Sequence, residues 1–282
     1  MNKRVLEQSI FKALMIISVG IVIGSLVFIV GTIIVNGAFS ITLEMLTQTS
    51  SGGYYLGRGG GILNAILGSL LLALPATALA YLIGIGISLF LQREFLHPKI
   101  ASLIRMSLDI LWGIPSIIYG IFCLMIMVAL GIGASLIAGI VALTLLEIPI
   151  ITRSMDESIK MVPIGLKEGS YSLGSTKFET AIKVVRRQAR PGIIAGVLLG
   201  LGRGIGDAAS ILFTAGFSDS IPSSLSDSTA ALPTMIYHLY SSPIPAVREK
   251  AYAAAFILMV IVTIISILSR RMTRKSMRYI LK

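Results

Sequence analysis

Charge is the scarcest property of this 282-residue chain. Only 13% of its residues are charged and 55% are hydrophobic, whereas an ordinary soluble domain has about 25% charged residues. The mean hydropathy is +0.90. So little charge excludes an intrinsically disordered chain, which combines low hydrophobicity with high net charge. It also argues against an ordinary soluble enzyme.

Cysteine and histidine are nearly absent as well. Cys123 is the single cysteine, and the two histidines are His97 and His238. One cysteine forms neither an internal disulfide nor a cysteine-rich metal site, so we expect no metal and no cofactor. The sequence contains no GxxxxGK[ST] motif, so the chain supplies no P-loop of its own. An intramembrane hydrolase would need a nucleophile with a paired base inside a span. Neither histidine lies in a span, and no GxSxG motif occurs.

Long apolar runs are what the sequence has in place of charge. A membrane-crossing helix needs about 20 mostly apolar residues. The predicted spans cover residues 13–35, 62–91, 108–130, 132–151, 192–216 and 251–269. This pattern predicts an all-α polytopic membrane protein with six transmembrane helices in a single domain over residues 1–282. The turn between the third and fourth spans falls near Gly131-Ile132-Gly133 and must be tight.

The basic residues are distributed unevenly between the predicted loops. The chain has 24 Lys and Arg against 13 Asp and Glu, a formal net charge of +11. Six spans place both termini on one side of the membrane, and 20 of the basic residues fall on that side. Arg58, Arg248 and Lys250 fall on the other side, and Arg203 lies within a span. Because cytoplasmic loops are enriched in Lys and Arg, we expect both termini in the cytoplasm and no nucleic-acid partner.

The longest segment on the basic side covers residues 152–191. Apolar residues at 178, 181, 182 and 185 have helical spacing. Gly174 suits the position just after a helix end, where glycine tolerates a positive φ. We expect a helix–turn–helix, which is either a solvated amphipathic loop resting on lipid headgroups or a docking surface.

The residues of this segment resemble a known motif. Glu168-Gly169-Ser170, three residues and Gly174 are similar to the cytoplasmic "EAA" loop of ABC importer permeases. That pattern continues to an Ile and then Leu-Pro; here Val184 takes the Ile position, and Arg186-Arg187 depart from Leu-Pro. The resemblance implies coupling helices that bind a separate ATPase subunit. It assigns this contact to Lys167, Glu168, Gly169, Ser170, Leu173 and Gly174.

Other blocks sharpen the resemblance. Together they are similar to the A-type permease of phosphate-specific ABC transporters, which implies the type I (MetI-like) permease fold. The implied partners are ATP-binding cassette subunits, a second permease subunit, an extracytoplasmic phosphate-binding protein, inorganic phosphate and membrane lipid. Alternatives are the sister permease subunit and a permease for another oxyanion or solute; the second subunit is either a paralogue or this same chain. The blocks are residues 60–69, 113–120, 191–194, 202–209 and 232–237.

Arg203 and Asp207 stand four residues apart in an apolar span, which would place them on one face of a helix. A charge left in hydrocarbon costs at least about 2.5–3.5 kcal/mol. One possibility is that the two charges neutralise each other between helices. The other is that Arg203 lies on a substrate path, where the planar set of donors on its guanidinium group matches the geometry of phosphate. Phosphate permeases typically have Arg-x-x-Gly followed by Glu; here Arg203 and Gly206 fit, and Asp207 replaces Glu. We predict a substrate path of Arg203, Gly206, Asp207, Pro115 and Ser116.

Three further expectations concern packing and the outer side. Gly196, Gly200 and Gly204 have the small-xxx-small spacing of closely packed membrane helices. Asp109 and Glu147 are expected near span ends, where their heads reach the interface. The outer loop at residues 217–249 is expected to contain a short helix, at 230–240, that meets the substrate-delivery protein.

Overall fold

The computed structural model describes residues 3–50 and 59–277, and the regular elements in those two ranges are all helices. Arg58, Arg278 and Lys282, which the charge distribution used, lie outside the described residues. The elements are α1 Lys3–Gly37, a 3-10 turn Ala38–Ser40, α2 Leu43–Thr47, α3 Leu63–Phe90, α4 Pro98–Gly113, α5 Ser116–Ala129, α6 Leu136–Lys160, α7 Ile164–Ser172, α8 Lys177–Glu179, a π-helical segment Thr180–Val185, α9 Arg186–Gln188, α10 Arg190–Gly206, α11 Leu232–Tyr240 and α12 Pro245–Met277.

Four helices of the described ranges are long and apolar enough to cross a membrane alone: α1, α3, α6 and α12. The pair α4 and α5 makes a fifth crossing if the two count together. α10 has 17 residues, which is about 25 Å of helix and slightly less than the roughly 30 Å of a hydrocarbon core. The all-α polytopic prediction is confirmed, while the count of six spans stays a prediction.

The third predicted span, 108–130, is wrong as one continuous helix. α4 ends at Gly113 and α5 begins at Ser116, with a bend of 96° between them. Ile114 is extended, with φ −71° and ψ 131°, because a residue that precedes proline is pushed out of the helical region. α5 then ends at a turn in which Gly131 adopts φ +67°, so the tight turn predicted there is confirmed.

The fourth predicted span continues beyond its predicted end. α6 runs to Lys160, so residues 152–160 are helix and not part of the predicted loop. Ionic pairs at i, i+3 and i, i+4 spacing extend the helix past its apolar run, since such neighbours stabilise a helix surface. Arg153 contacts Glu157 at 2.7 Å, and Lys160 contacts Asp156 at 3.0 Å.

A buried ionic network joins α4 to the end of α6. The Asp156 side chain is fully buried and accepts two hydrogen bonds from Arg105, at 2.8 and 3.0 Å. Arg153 contacts the same carboxylate at 3.1 Å and pairs with Asp109 on α4. Asp109 is 51% exposed, and its expected position near a membrane interface stays a prediction. The network replaces hydration of a buried carboxylate with charge-assisted hydrogen bonds.

The predicted outer loop, 217–249, is largely structured. It contains α11 at Leu232–Tyr240, as expected for 230–240. Ser69 of α3 accepts a hydrogen bond from the Leu232 amide at 2.8 Å, and the Asn64 side chain donates to the Ser218 carbonyl at 2.8 Å. Leu232, Met235 and Leu239 are buried in a cluster with α3 and α12. These contacts hold the segment against one end of the helix bundle.

Candidate functional site: a cavity beside α10 and a coupling surface

α10 ends inside the bundle, and the chain continues as a buried turn. The predicted fifth span, 192–216, is therefore wrong as a continuous helix. Asp207 leaves the helix with ψ 122°, and its carboxylate accepts hydrogen bonds from the amide and hydroxyl of Ser210 at 2.8 and 2.5 Å. Short polar side chains that bond nearby backbone compete with a helix in this way. Irregular backbone at membrane depth is tolerated where protein buries it or where it lines a watery cavity.

A cavity of about 760 Å³ lies beside this helix end, between α6, α10 and α12. Its polar groups come from three elements that are far apart in sequence. Arg203, Gly206 and Asp207 of the predicted substrate path all line it. The structure adds Ser154, Ser266, Ser269 and Arg270 to the lining. Two arginines and three serines line this cavity, and guanidinium and hydroxyl groups are donors that fit oxyanions.

Arg203 and Asp207 do not form the helical i, i+4 pair that the sequence predicts. α10 ends between them, and the ion pairs found in the described part of the chain do not join them. Asp207 is nearly buried against Ser210, while the Arg203 side chain is exposed toward the cavity. Arg203 also stands in the last turn of α10, where a cation is favoured by the helix dipole. The mutually neutralising interpretation has no support in this geometry.

Pro115 and Ser116 lie elsewhere. They form the junction between α4 and α5 and are not among the residues that line the cavity. Pro115 is exposed and Ser116 is half-buried. α5 approaches the turn after α10 at Gly120, where an added Cβ would lie 2.8 Å from the Ser210 carbonyl oxygen. The structure therefore links α5 to the cavity through backbone packing, and the role predicted for Pro115 and Ser116 stays a prediction.

The glycines of α10 pack against α6, as their spacing predicts. A Cβ added at Gly196 would lie 2.7 Å from the Ser154 hydroxyl oxygen, and one at Gly200 would contact Ile151. Gly204 abuts Glu147. Glu147 is completely buried within α6, and neither of its carboxylate oxygens has a hydrogen-bond partner in the described part of the chain. The expectation that Glu147 reaches an interface is wrong, because α6 continues for three more turns beyond it.

The segment after α6 forms the predicted helix–turn–helix. α7 ends at Ser172, Gly174 adopts φ +86°, and α8 begins at Lys177. Thr176 and Glu179 form a reciprocal cap: the Glu179 amide donates to the Thr176 hydroxyl at 3.2 Å, and the Thr176 amide donates to the Glu179 carboxylate at 3.1 Å. The hydrogen bond from Lys183 and those from Thr176 lower the pKa of Glu179 to about 2. The second helix of this helix–turn–helix consists of α8, the π-helical segment and α9, and it ends at Gln188. Pro191 stands in the first turn of α10.

α7 separates the six predicted coupling residues into two groups. Lys167 and Ser170 face the protein: Lys167 pairs with Glu94 at 2.8 Å, and Ser170 hydrogen-bonds Thr180 at 2.9 Å. Burial raises the pKa of Glu94, but the hydrogen bond and charge of Lys167, a backbone hydrogen bond and the charge of Lys177 together hold that pKa below its ordinary value. The other four face outward without close neighbours in the described chain. They are Glu168, Gly169, Leu173 and Gly174.

The outward side of this segment carries exposed apolar residues that the sequence reasoning did not assign to coupling. Met161 is 83% exposed, Ile164 69% and Leu173 88%. Phe178 of α8 is 58% exposed. We call Met161, Ile164, Glu168, Leu173 and Phe178 the coupling surface. Apolar side chains this exposed, on a short structured element outside the spans, are typical of a surface that another protein covers.

The sequence also missed the cavity residues on α6 and α12. Arg270 was counted only as a basic residue of the tail, and Ser154 was not singled out. A signal was present: Ser266 and Arg270 are four apart at the end of an apolar run, so a helix places them on one face. No sequence pattern indicates that this face meets α10, because that contact depends on the packing of α10 against α12.

Comparison with known proteins gives the family. Residues 82–278 match the family described as "Binding-protein-dependent transport system inner membrane component". The chain is 32% identical over 245 residues to a protein of Pasteurella multocida (strain Pm70) named "Phosphate transport system permease protein PstA". That alignment covers 87% of this chain and 86% of the relative.

Solved structures give the fold. A chain of the MetNI methionine ABC transporter in inward-facing conformations matches with a TM-score of 0.60 and 22% identity, over 76% of this chain and 95% of that one. A chain of a bacterial alginate ABC transporter, in complex with a periplasmic protein that carries an alginate pentasaccharide, matches with a TM-score of 0.64 and 12% identity, over 97% and 96%. The predicted MetI-like permease fold is thereby confirmed. The chain belongs to the binding-protein-dependent transport system inner membrane component family, among its PstA-type permeases.

Proposed function

We propose that this chain is the transmembrane subunit of an ATP-driven importer of inorganic phosphate, and that the cavity beside α10 holds the anion during its passage. The observation that carries the proposal is that Arg203 and Arg270 line one cavity together with Ser154, Ser266 and Ser269. Guanidinium groups bind phosphate oxygens in a bidentate manner. The names of the PstA relatives support phosphate over another oxyanion.

Asp207 stands at the same cavity and limits how tightly the anion is held. A carboxylate beside two arginines offsets part of their attraction for a phosphate, since like charges repel. Transport needs a site that releases its substrate as well as binds it. The charge balance of Arg203, Arg270 and Asp207 therefore favours passage over retention.

The chain performs no covalent chemistry; separate ATPase subunits hydrolyse ATP. These bind the coupling surface, which lies at the cytoplasmic end together with both termini, as the excess of Lys and Arg there supports. A second permease subunit completes the cavity, and an extracytoplasmic phosphate-binding protein docks over α11. The π-helical segment and α9 connect the coupling surface to α10, so a displacement of the coupling surface acts on the helix that carries Arg203.

The transport experiment replaces one arginine at a time in the assembled complex reconstituted into vesicles. Arg203→Ala should abolish ATP-dependent phosphate uptake while the ATPase still co-purifies, and Arg270→Ala should reduce uptake. Arg271→Ala is the matched control, because Arg271 is exposed on the same helix but does not line the cavity. Normal uptake by Arg203→Ala refutes the assignment.

Asp207→Asn tests the balance of charges. Asparagine keeps an oxygen that accepts from Ser210, so the turn is preserved while the negative charge is removed. We expect a lower KM for phosphate together with a lower maximal rate. A KM that rises or stays unchanged contradicts the role given to Asp207.

The coupling surface is tested separately by co-purification of the ATPase. Leu173→Ser should weaken the association, since Leu173 is 88% exposed at the tip of the surface. Leu225→Ser is the control, because Leu225 is also exposed, at 56%, but lies in the outer segment. Equal recovery of the ATPase with both variants contradicts docking at this surface.

A further inference from the structure

A second cavity, of about 970 Å³, lies where α9 meets the beginning of α10. It is at the end of the bundle that carries α7, and it adjoins the Arg203 cavity, because Leu198 lines both. Four cationic side chains form its rim: Lys183, Arg186, Arg187 and Arg190. The proposed passage of phosphate uses none of these residues.

The arginines of this rim are not neutralised. Lys183 pairs with Glu179 at 3.0 Å, but within residues 3–50 and 59–277 no ion pair involves Arg186, Arg187 or Arg190. All three arginines are exposed. Arg186 and Arg187 stand where the pattern that the segment resembles has Leu-Pro. The chain thus places adjacent positive charges at a helix junction where that pattern has apolar residues.

The wall of the cavity has the opposite character. It is formed by Ile193, Ile194, Val197 and Leu198 of α10, with Met272 of α12. α10 and α12, which carry these side chains, pack against each other in the bundle. A small hydrated anion gains nothing from such a wall, because it would exchange water for apolar surface without new hydrogen bonds. A ligand with an anionic head and a hydrocarbon tail matches both the rim and the wall.

We propose that this groove binds an acidic phospholipid. Its phosphate headgroup contacts Arg186, Arg187 and Arg190, and an acyl chain lies along α10 and α12. Basic pockets between membrane helices bind anionic headgroups by the same combination of charge and apolar wall. The proposal does not depend on which solute the transporter carries, so failure of the phosphate assignment leaves it intact.

The test uses the assembled transporter in nanodiscs of phosphatidylethanolamine and phosphatidylglycerol, with retained lipid quantified by mass spectrometry after extraction into detergent. The triple variant Arg186→Gln, Arg187→Gln and Arg190→Gln should retain at most about one tenth of the phosphatidylglycerol that the wild type retains. The matched control removes three exposed charges elsewhere: Lys12→Gln, Arg93→Gln and Lys99→Gln. Equal retention by the two triple variants overturns the proposal.

Two further measurements separate lipid from the rival occupants. In nanodiscs of phosphatidylcholine alone, inorganic phosphate should bind the wild type and the triple variant equally. If phosphate binds the wild type and the triple variant abolishes this binding, the rim is a site for the free anion and the proposal fails. A photoreactive benzoylphenylalanine replacing Met272 should cross-link to phospholipid. Exclusive cross-linking to another protein chain shows a subunit contact and overturns the proposal. This measurement does not use the triple variant, so it tests the proposal even if that variant does not assemble.

Discussion

α1 and α6 are both long enough and apolar enough to cross a membrane, but they differ in hydropathy and in how much of each helix the protein buries. α1 is the more apolar, and no residue in its most apolar 18-residue stretch is buried within the protein. α6 is less apolar, and 72% of the corresponding stretch is buried. α6 also carries Glu147, Arg153 and Asp156, whereas the most apolar stretch of α1 carries no charge. In a membrane, apolarity does not drive a helix into the protein interior, since lipid is as apolar as leucine. Small residues, which let helices approach closely, and polar residues, which bond between helices, place a helix in the interior.

The largest expected effect is removal of the buried charge on α6. Asp156→Ala leaves Arg105, Arg153 and Lys160 without their shared partner, which costs about 3–5 kcal/mol of unfolding free energy. The fluorescence of Trp112, the single tryptophan, reports unfolding from α4 in detergent. Glu157→Gln is the control, because that side chain is 56% exposed. A loss no greater than that of the control means that the network does not hold α4 to α6.

Truncation of an apolar side chain should give the next largest effect. Leu143 of α6 is 1% exposed, so Leu143→Ala leaves a cavity and costs about 2–5 kcal/mol. Leu26 of α1 is 61% exposed, and lipid fills the space after Leu26→Ala. Thermal unfolding of the purified protein compares the two variants. Equal shifts in Tm mean that α1 is packed as tightly as α6.

Glycine substitution sharpens the comparison further. A Cβ at Gly139 of α6 would lie 2.6 Å from the Leu72 side chain and 2.8 Å from Ala215. Gly139→Val should therefore cost about 1–3 kcal/mol through overpacking. A Cβ at Gly20 of α1 has no atom within 4 Å, so Gly20→Val should be silent. Expression of folded protein, measured by size exclusion in detergent, distinguishes the two; a silent Gly139→Val contradicts the close packing.

The smallest effect concerns a charge outside the spans, for contrast with Asp156. The pKa of Glu179 is lowered from 4.5 to about 2, so its cap stabilises the second helix fully above pH 4.5 and loses this contribution as the pH falls toward 2. The Tm difference between the wild type and Glu179→Ala should be small at pH 6 and shrink over that range. Glu179→Gln, which keeps the cap without the charge, should show little pH dependence. A difference that grows on acidification reverses the sign and refutes the cap.

The sequence predicted elements whose signals are local. Apolar runs located the long helices α1, α3, α6 and α12, Gly174 located the turn between α7 and α8, and the four-residue spacing of Gly196, Gly200 and Gly204 predicted the close packing that α10 makes. The break at Pro115 has a local cause too, because the residue that precedes a proline is pushed out of the helical region. The end of α10 at Gly206 had no comparable signal, because an apolar run continues past it.

The sequence by itself determined that the chain crosses the membrane, where its basic loops lie and which family motif it carries, since composition and spacing fix these. Only the tertiary structure decided that Arg203 and Arg270 line the same cavity, that Lys167 turns inward, and that the carboxylates of Glu147 and Asp156 are buried. Each of these depends on which helix faces meet. In a bundle where every helix is apolar, a helix's own sequence does not specify its neighbour.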